Sequence, residues 1–280
     1  MAAIDLRPMT LGEVLDRTFT LYRQRFLLFA GISALPFLVL LLFRFAILLL
    51  TKFSFENPTP GQGPAFLGGF VASLFGTLFL TFILVGIAEA ATIWAVSELY
   101  LGREASVAAA YTNSKGRILA VLGTILLVGL ASGVAFILLI IPGIYVSCRL
   151  AVAIPATIVE QESPPTSMER SWQLTDGHTW EMFLLLLLVW VISYAVGILF
   201  QLPVFFFTFT AALTKHPVGV GVTAYSYVAE FVSQVLAGPV GTISAALMYY
   251  NLRVRKEGFD IQHLLGSLGG TAPVTEPQGI

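Results

Sequence analysis

The segment ILAVLGTILLVGLASGVAFILLII, residues 118–141, decides the fold class of this chain because its 24 residues include no charge. An α-helix needs about 20 mainly apolar residues to cross the hydrocarbon core of a bilayer. Lipid offers no hydrogen-bonding partner, so the backbone polar groups of such a segment must be paired within it, as they are in a helix. The segment therefore predicts a membrane-spanning helix.

The overall composition extends this prediction to the whole chain. Hydrophobic residues make up 57% of the 280 residues and charged residues only 11%, whereas a soluble domain carries about 25% charged residues. The net charge of -1 gives no case for nucleic-acid binding, which requires a basic face. We therefore predict an integral membrane protein whose main partner is the lipid bilayer and which does not bind nucleic acid.

Apolar segments that reach or approach the length of a span recur along the sequence. They are residues 26–50, 66–88, 118–141, 144–159, 182–202 and 222–250. The Pro142-Gly143 dipeptide is typical of a turn and predicts a tight hairpin between the third and fourth segments. The segments lack the alternation of membrane barrel strands. We predict an all-α, polytopic helical bundle of about six transmembrane helices in residues 1–258, followed by a flexible cytoplasmic tail in residues 259–280.

The distribution of basic residues predicts the orientation of this bundle. Eleven of the 15 Lys and Arg residues fall on the side that holds both termini and the connections 101–117 and 160–181. Only Lys52 and Lys215 fall on the other side. Because basic residues are enriched in cytoplasmic connections, both termini should be cytoplasmic in the plasma (inner) membrane.

This topology makes a direct prediction for reporter fusions. A reporter fused after Pro60 or Pro217 should be active only outside the cytoplasm, whereas one fused after Gly258 should be active inside it. Activity measured in whole cells checks all three positions. A cytoplasmic signal from the Pro60 fusion would contradict the six-span arrangement.

An amphipathic helix is predicted at residues 10–25, before the first span. Thr10-Leu-Gly-Glu13 is a capping box, in which a hydroxyl and a carboxylate satisfy free amide donors at a helix start. Apolar side chains then recur at helical spacing, and polar side chains occupy the opposite side. The apolar positions include Leu11, Leu15, Phe19 and Tyr22. We expect this helix to lie on the membrane surface.

Four charged residues fall within the predicted spans and are the candidate functional residues. They are Arg44, Glu89, Arg149 and Glu230. A charge in lipid is costly, so each side chain should either form a structural ion pair, reach the headgroups, or line a polar cavity. Counting along the helices places Glu89 near the cytoplasmic boundary and the other three toward the outer side. We predict that Arg149 pairs with Glu230, with Arg44 as a competing partner.

The sequence offers no arrangement typical of catalysis or of cofactor or metal binding. His178, His216 and His263 are far apart, and no phosphate-binding or metal-binding motif is present. The single cysteine, Cys148, cannot form an intrachain disulfide. We therefore predict no cofactor, no metal and no enzymatic activity.

Both ends of the helical region resemble a known family. The opening LRPMTLGEVLDRTFTLYR, residues 6–23, and the closing YYNLRVRKEGFD, residues 249–260, are similar to motifs of the prokaryotic family named after the membrane domain of glycerophosphoryl diester phosphodiesterase. Pro142-Gly-Ile-Tyr145 is similar as well. The resemblance implies a helical membrane domain without established activity. This chain has no room for a phosphodiesterase barrel, and the resemblance brings no catalytic residues to it.

Three classes of function remain open at this point. The leading hypothesis is a non-enzymatic scaffold that organises a membrane or cytoplasmic protein partner, or the bilayer itself. The first alternative is a transporter or channel for a small molecule or lipid, which requires a continuous polar cavity between spans. The second is an intramembrane hydrolase, whose residues would have to converge from distant helices.

Overall fold

The computed structural model describes residues 8–56, 63–215 and 219–258, and no strand occurs in these ranges. The helices are α1 (Leu11–Gln24), α2 (Phe26–Glu56), α3 (Gly63–Tyr100), α4 (Val107–Ser114), α5 (Ile118–Leu138), α6 (Ile140–Arg149), α7 (Ala153–Val159), α8 (Pro164–Leu174), α9 (Thr179–Thr214) and α10 (Val220–Glu257). A single 3-10 turn, Lys115–Arg117, joins α4 to α5. The all-α fold class is confirmed.

Within the part of the chain that the structure describes, six segments are long and apolar enough to cross a membrane, and each predicted span overlaps one of them. They are Phe26–Leu50, Gly68–Tyr100, Val107–Leu138, Ile140–Val159, Thr179–Thr214 and Val220–Glu257. Helices α2, α3, α9 and α10 extend beyond the predicted apolar segments, whereas α5 ends at Leu138, three residues before the predicted end. This chain is therefore a multi-pass membrane protein. The predicted tail, residues 259–280, lies outside the described residues.

Buried side chains are concentrated at one end of the bundle, which we call the basal layer. It comprises Met9, α1, the start of α2, the end of α3, α4, the end of α6, α7, the connection 160–163, α8, the connection 175–178, the start of α9 and residues 239–257 of α10. Its largest fully buried side chains include Tyr249, Leu174, Met182, Ile243, Leu247, Met248 and Leu252. The basal layer is thus a packed protein core.

The opposite end of the bundle, which we call the distal half, comprises the remaining parts of α2, α3, α9 and α10. Large apolar side chains on its helices are exposed, among them Leu42, Phe79, Leu199 and Phe205. Exposed apolar surface of this extent is unfavourable in water, but lipid tolerates it. The distal half is therefore the part of the bundle that lipid must surround.

The predicted N-terminal helix is confirmed as α1, and its capping box is present. The amide of Thr10 donates to Glu13 Oε2 at 2.7 Å, and the amide of Glu13 donates to Thr10 Oγ1 at 3.4 Å. Both bonds satisfy amides that a helix start leaves free.

The predicted assignment of the apolar face of α1 to lipid needs correction, whereas its position at the membrane surface stays a prediction. Its apolar face is turned mainly toward α10, with Val14 and Thr18 fully buried and Leu11 and Leu15 packed against the core. Tyr22 donates a hydrogen bond to the Leu236 carbonyl of α10 at 2.8 Å. Only Phe19, with 39% of its surface exposed, keeps a large apolar contact area for lipid. The face that sequence periodicity assigned to lipid is thus mostly a protein contact.

The hairpin between the third and fourth spans is present, but its turn lies earlier than predicted. Leu139 alone is extended, with φ -163° and ψ 153°, and it separates α5 from α6. Pro142 and Gly143 lie in the first turn of α6. Proline is tolerated there because its missing amide hydrogen has no partner within the helix. The dipeptide therefore begins a helix, and the prediction of a turn at these two residues is wrong.

Gly143 is required for close packing within this hairpin. A methyl group added there would overlap the Phe136 ring near its attachment point, so a Gly143→Ala variant should lose about 1–3 kcal/mol of stability. Thermal unfolding of the detergent-solubilised protein measures the loss. Gly129→Ala is the matched control, since its added methyl group has no described atom within 4 Å apart from its chain neighbours and the nearby backbone of its own helix. Equal melting temperatures for the two variants would contradict the contact.

Candidate functional site

Arg44 and Glu230 form an ion pair between α2 and α10 in the distal half. The side chains keep 19% and 39% of their surface exposed, respectively. The Arg44 guanidinium also lies 5.7 Å from the centre of the Tyr227 ring. The predicted pairing of Arg149 with Glu230 is therefore wrong, and the competing partner takes its place. The reason is helix adjacency, since α10 packs along α2 whereas α6 packs against α5 and α9.

Arg149 belongs instead to the basal layer, which corrects its predicted position toward the outer side. It is only 3% exposed, and its guanidinium donates to Asp176 Oδ1 at 2.9 Å. Asp176 lies in the connection between α8 and α9 and is itself 73% exposed. The centre of the Trp172 ring lies 4.7 Å from the guanidinium, and that of Tyr145 lies 5.9 Å from it. A carboxylate and two aromatic faces thus surround this charge.

A break in the fourth span explains where Arg149 lies. Helix α6 ends at Arg149, and α7 begins at Ala153. The Ser171 hydroxyl of α8 donates to the Arg149 carbonyl at 2.8 Å and accepts from the Val152 amide at 3.3 Å. Thr175 Oγ1 donates to the same carbonyl at 3.1 Å. Because buried backbone groups must be paired, the docking of α8 satisfies the groups that the break leaves free.

Glu89 is the fourth predicted intramembrane charge, and its environment differs from the other three. Its Oε2 atom is buried and has no hydrogen-bond partner among the residues that the structure describes. Ala88 and Ala90 on either side of it belong to buried apolar clusters. Glu89 is therefore separate from both charge pairs and from the cleft described below.

The basal layer contains a cluster of ion pairs centred on Glu160, which we call the Glu160 cluster. Arg170 Nε lies 2.9 Å from both oxygens of Glu160, and the Tyr249 hydroxyl donates to Glu160 Oε1 at 2.6 Å. Arg170 also pairs with Glu257, and Arg253 lies 3.7 Å from Glu160. Burial by itself would lower the pKa of Arg170. The hydrogen bonds and charges of Glu160 and Glu257 together have the larger effect, so the pKa of Arg170 lies above the usual value for arginine. The cluster joins the α7–α8 connection and α8 to the end of α10.

The opening and closing motifs of the sequence meet in the basal layer. The Met9 amide donates to Asn251 Oδ1 at 2.8 Å, and Asn251 Nδ2 donates to the Met9 carbonyl at 2.9 Å. Arg255 donates to the same carbonyl and also pairs with Glu181 of α9 at 2.9 Å. The two motifs therefore form one structural contact between distant parts of the chain.

A polar cleft lies between α9 and α10 in the distal half, with a volume of about 250 Å³. Its polar lining consists of Ser193, Gln201, Glu230, Ser233 and Gln234. Small residues make the space, because Gly197, Ala237 and Gly238 line it as well. At one end Gln201 Nε2 donates to the Ser226 carbonyl at 3.3 Å. At the other end the two helices approach each other closely. A methyl group added to Gly241 of α10 would lie only 3.2 Å from the Val189 side chain of α9.

Of the residues that line this cleft, only Glu230 is a candidate from the sequence, because it is charged. Gln201, Ser233 and Gln234 are uncharged polar residues within apolar segments, which is a weaker signal. Uncharged polar residues carry a smaller penalty in lipid than charges do, so their presence in a span does not by itself indicate a site.

Residues that commonly bind metals are scattered across the structure. Within residues 8–56, 63–215 and 219–258, no group of three or more His, Cys, Asp or Glu side chains is placed to hold a metal ion. Cys148 is a buried free thiol. His178 Nδ1 lies 3.1 Å from the Asp176 carbonyl. The other two histidines, His216 and His263, lie outside the described residues.

The comparisons with known proteins give one positive result. Residues 118–262 match the family described as the membrane domain of glycerophosphoryl diester phosphodiesterase. Neither a curated protein nor a solved structure matches this chain. The family match includes the closing motif and the hairpin, while the opening motif precedes it. Since the match covers just over half of the 280 residues, the chain belongs to the family of the membrane domain of glycerophosphoryl diester phosphodiesterase.

Proposed function

We propose that this chain is a non-enzymatic membrane domain whose basal layer faces the cytoplasm and organises a protein partner. The observation that carries the proposal is the way the basal layer is held together. The Glu160 cluster, the Arg149–Asp176 pair and the contact of Met9 with Asn251 join short helices to the spans. These polar groups fix the positions of helices.

A surface fixed in this way suits recognition of a partner. Binding is weakened by the cost of ordering flexible groups, and a preorganised surface reduces that cost. The exposed side chains of the layer include Asn113 and Lys115 at the end of α4 and Glu169 on α8. The excess of basic residues at this end supports its cytoplasmic orientation.

Site-specific photo-crosslinking in native membranes tests the proposal. A photoreactive residue at Asn113 or Glu169 should capture the same protein. One at Leu199, which is exposed on α9 in the distal half, is the control and should capture lipid. Capture of lipid alone at both basal positions would overturn the proposal, as would cleavage of a lipid phosphodiester by the purified protein.

The polar cleft supports a second candidate function, transport of a small molecule or lipid. Toward the basal layer the cleft ends where α9 and α10 approach each other at Val189 and Gly241. Transport therefore requires these helices to separate during the cycle. Substrate flux into liposomes that is blocked by a disulfide between cysteines introduced at these two positions would favour this candidate.

A further inference from the structure

We infer that the cleft between α9 and α10 binds the uncharged, hydroxyl-bearing headgroup of a lipid, whose alkyl chains lie along the exposed apolar face of α9. The inference is independent of the proposed role of the basal layer. It rests on the arrangement of side chains on α9, the chemistry of the cleft lining and the size of the cleft.

Two parallel stripes of side chains run along α9. Ser193, Gly197 and Gln201 recur every four residues and line the cleft. Trp190, Tyr194 and Ile198 recur at the same spacing and are exposed. Residues four apart lie on the same helix face, so a polar stripe and an apolar stripe lie side by side. An amphiphile at the edge of the cleft would contact both stripes at once.

The lining of the cleft selects among headgroups. Its polar side chains are two amides, two hydroxyls and one carboxylate. The Glu230 carboxylate disfavours an anionic headgroup, and a cationic one would compete with Arg44, which already pairs with Glu230. Amides and hydroxyls both donate and accept hydrogen bonds. Hydroxyl groups of a neutral headgroup, such as a sugar, complement that lining.

The size of the cleft limits what enters it. Its volume of about 250 Å³ is below the roughly 300–1,000 Å³ typical of sites that enclose a whole drug-sized ligand. It therefore has room for one headgroup but not for a headgroup together with its alkyl chains. Trp190 and Tyr194, whose rings stack at 5.1 Å, offer the chains an apolar surface directly beside the polar stripe.

Lipid retention measured by native mass spectrometry tests this inference. The full chain would be reconstituted in nanodiscs containing equal amounts of a monoglucosyl diacylglycerol, phosphatidylcholine and phosphatidylglycerol. We expect the glycolipid to be retained preferentially after release from the nanodisc. A Gly197→Leu variant, which fills the cleft, should retain it about tenfold less, as the loss of one or two hydrogen bonds implies.

Two further variants keep the test decisive. Gly129→Leu makes the same change at a glycine of α5 with open space around it, and it should retain the glycolipid like the unmodified protein. If Gly197→Leu fails to fold, Gln234→Leu removes one polar group from the cleft and should show the same loss. Equal retention of the three lipids, preference for phosphatidylglycerol, or equal effects at Gly129 and Gly197 would each overturn the inference.

Discussion

Replacing Glu160 with glutamine should lower the stability of the folded protein by about 2 kcal/mol, between the values for an exposed pair and for a broken buried one, because its ion pairs are partly exposed. Glu160 accepts hydrogen bonds from Arg170 and Tyr249, and Arg253 lies near it. Glutamine has nearly the same shape but carries no charge. The positive charges of Arg170 and Arg253 therefore lose part of the negative charge that balances them. Thermal or denaturant unfolding of the solubilised protein measures the effect.

Glu169→Gln provides the matched control for this prediction. Glu169 is exposed on α8, and its carboxylate accepts a weak hydrogen bond at 3.3 Å from Gln173. Surface interactions of this type contribute at most about 1 kcal/mol. If the two glutamine variants unfold at the same temperature, the Glu160 cluster does not stabilise the basal layer.

The second large effect concerns the Arg44–Glu230 pair. A single Glu230→Gln or Arg44→Gln change should cost about 2 kcal/mol, because it leaves one charge without its partner in a lipid-facing region. The double variant should recover part of the loss, with a coupling energy of about 1 kcal/mol or more. Unfolding of the four proteins in one detergent gives the complete double-mutant cycle.

The same cycle with Arg149 in place of Arg44 supplies the control. Arg149 pairs with Asp176, so Arg149→Gln and Glu230→Gln should have additive effects on stability. Coupling between Arg149 and Glu230, together with additivity between Arg44 and Glu230, would contradict the arrangement of α2, α6 and α10 described above.

The spans and the capped start of α1 were predictable because they depend on local sequence. A stretch such as residues 118–138 has only one stable form in lipid, whatever its neighbours are. The capping box of Thr10 and Glu13 likewise needs residues that are three positions apart. In both cases the decisive interactions occur within a single helix.

The charge pairs and the cleft depend on which helices are neighbours, and local sequence does not contain that information. Counting residues from the membrane boundaries places Arg44 and Arg149 at depths similar to that of Glu230. This estimate therefore does not distinguish between the two arginines as its partner. The break after Arg149 falls in residues 150–152, Leu-Ala-Val. Pro155 is a local signal for it, because a proline cannot donate to the carbonyl four residues earlier, that of Ala151, and crowds it. The pairing of the freed backbone groups with Ser171 of α8 and with Thr175, directly after α8, depends on tertiary contacts. The cleft in turn depends on small residues of α9 and α10 lying opposite one another.

The contact between Met9 and Asn251 spans 242 residues of sequence, which has a consequence for biosynthesis. Ribosomes add about 5–20 residues per second, so α1 emerges roughly 12–50 s before its partner residues on α10. During that interval the side chains of Val14 and Thr18, which are buried once α1 packs against α10, need another environment. An amphipathic helix finds one on the membrane surface. The nascent chain would therefore hold α1 on the bilayer first and transfer the same face to α10 only when synthesis of the last span is complete.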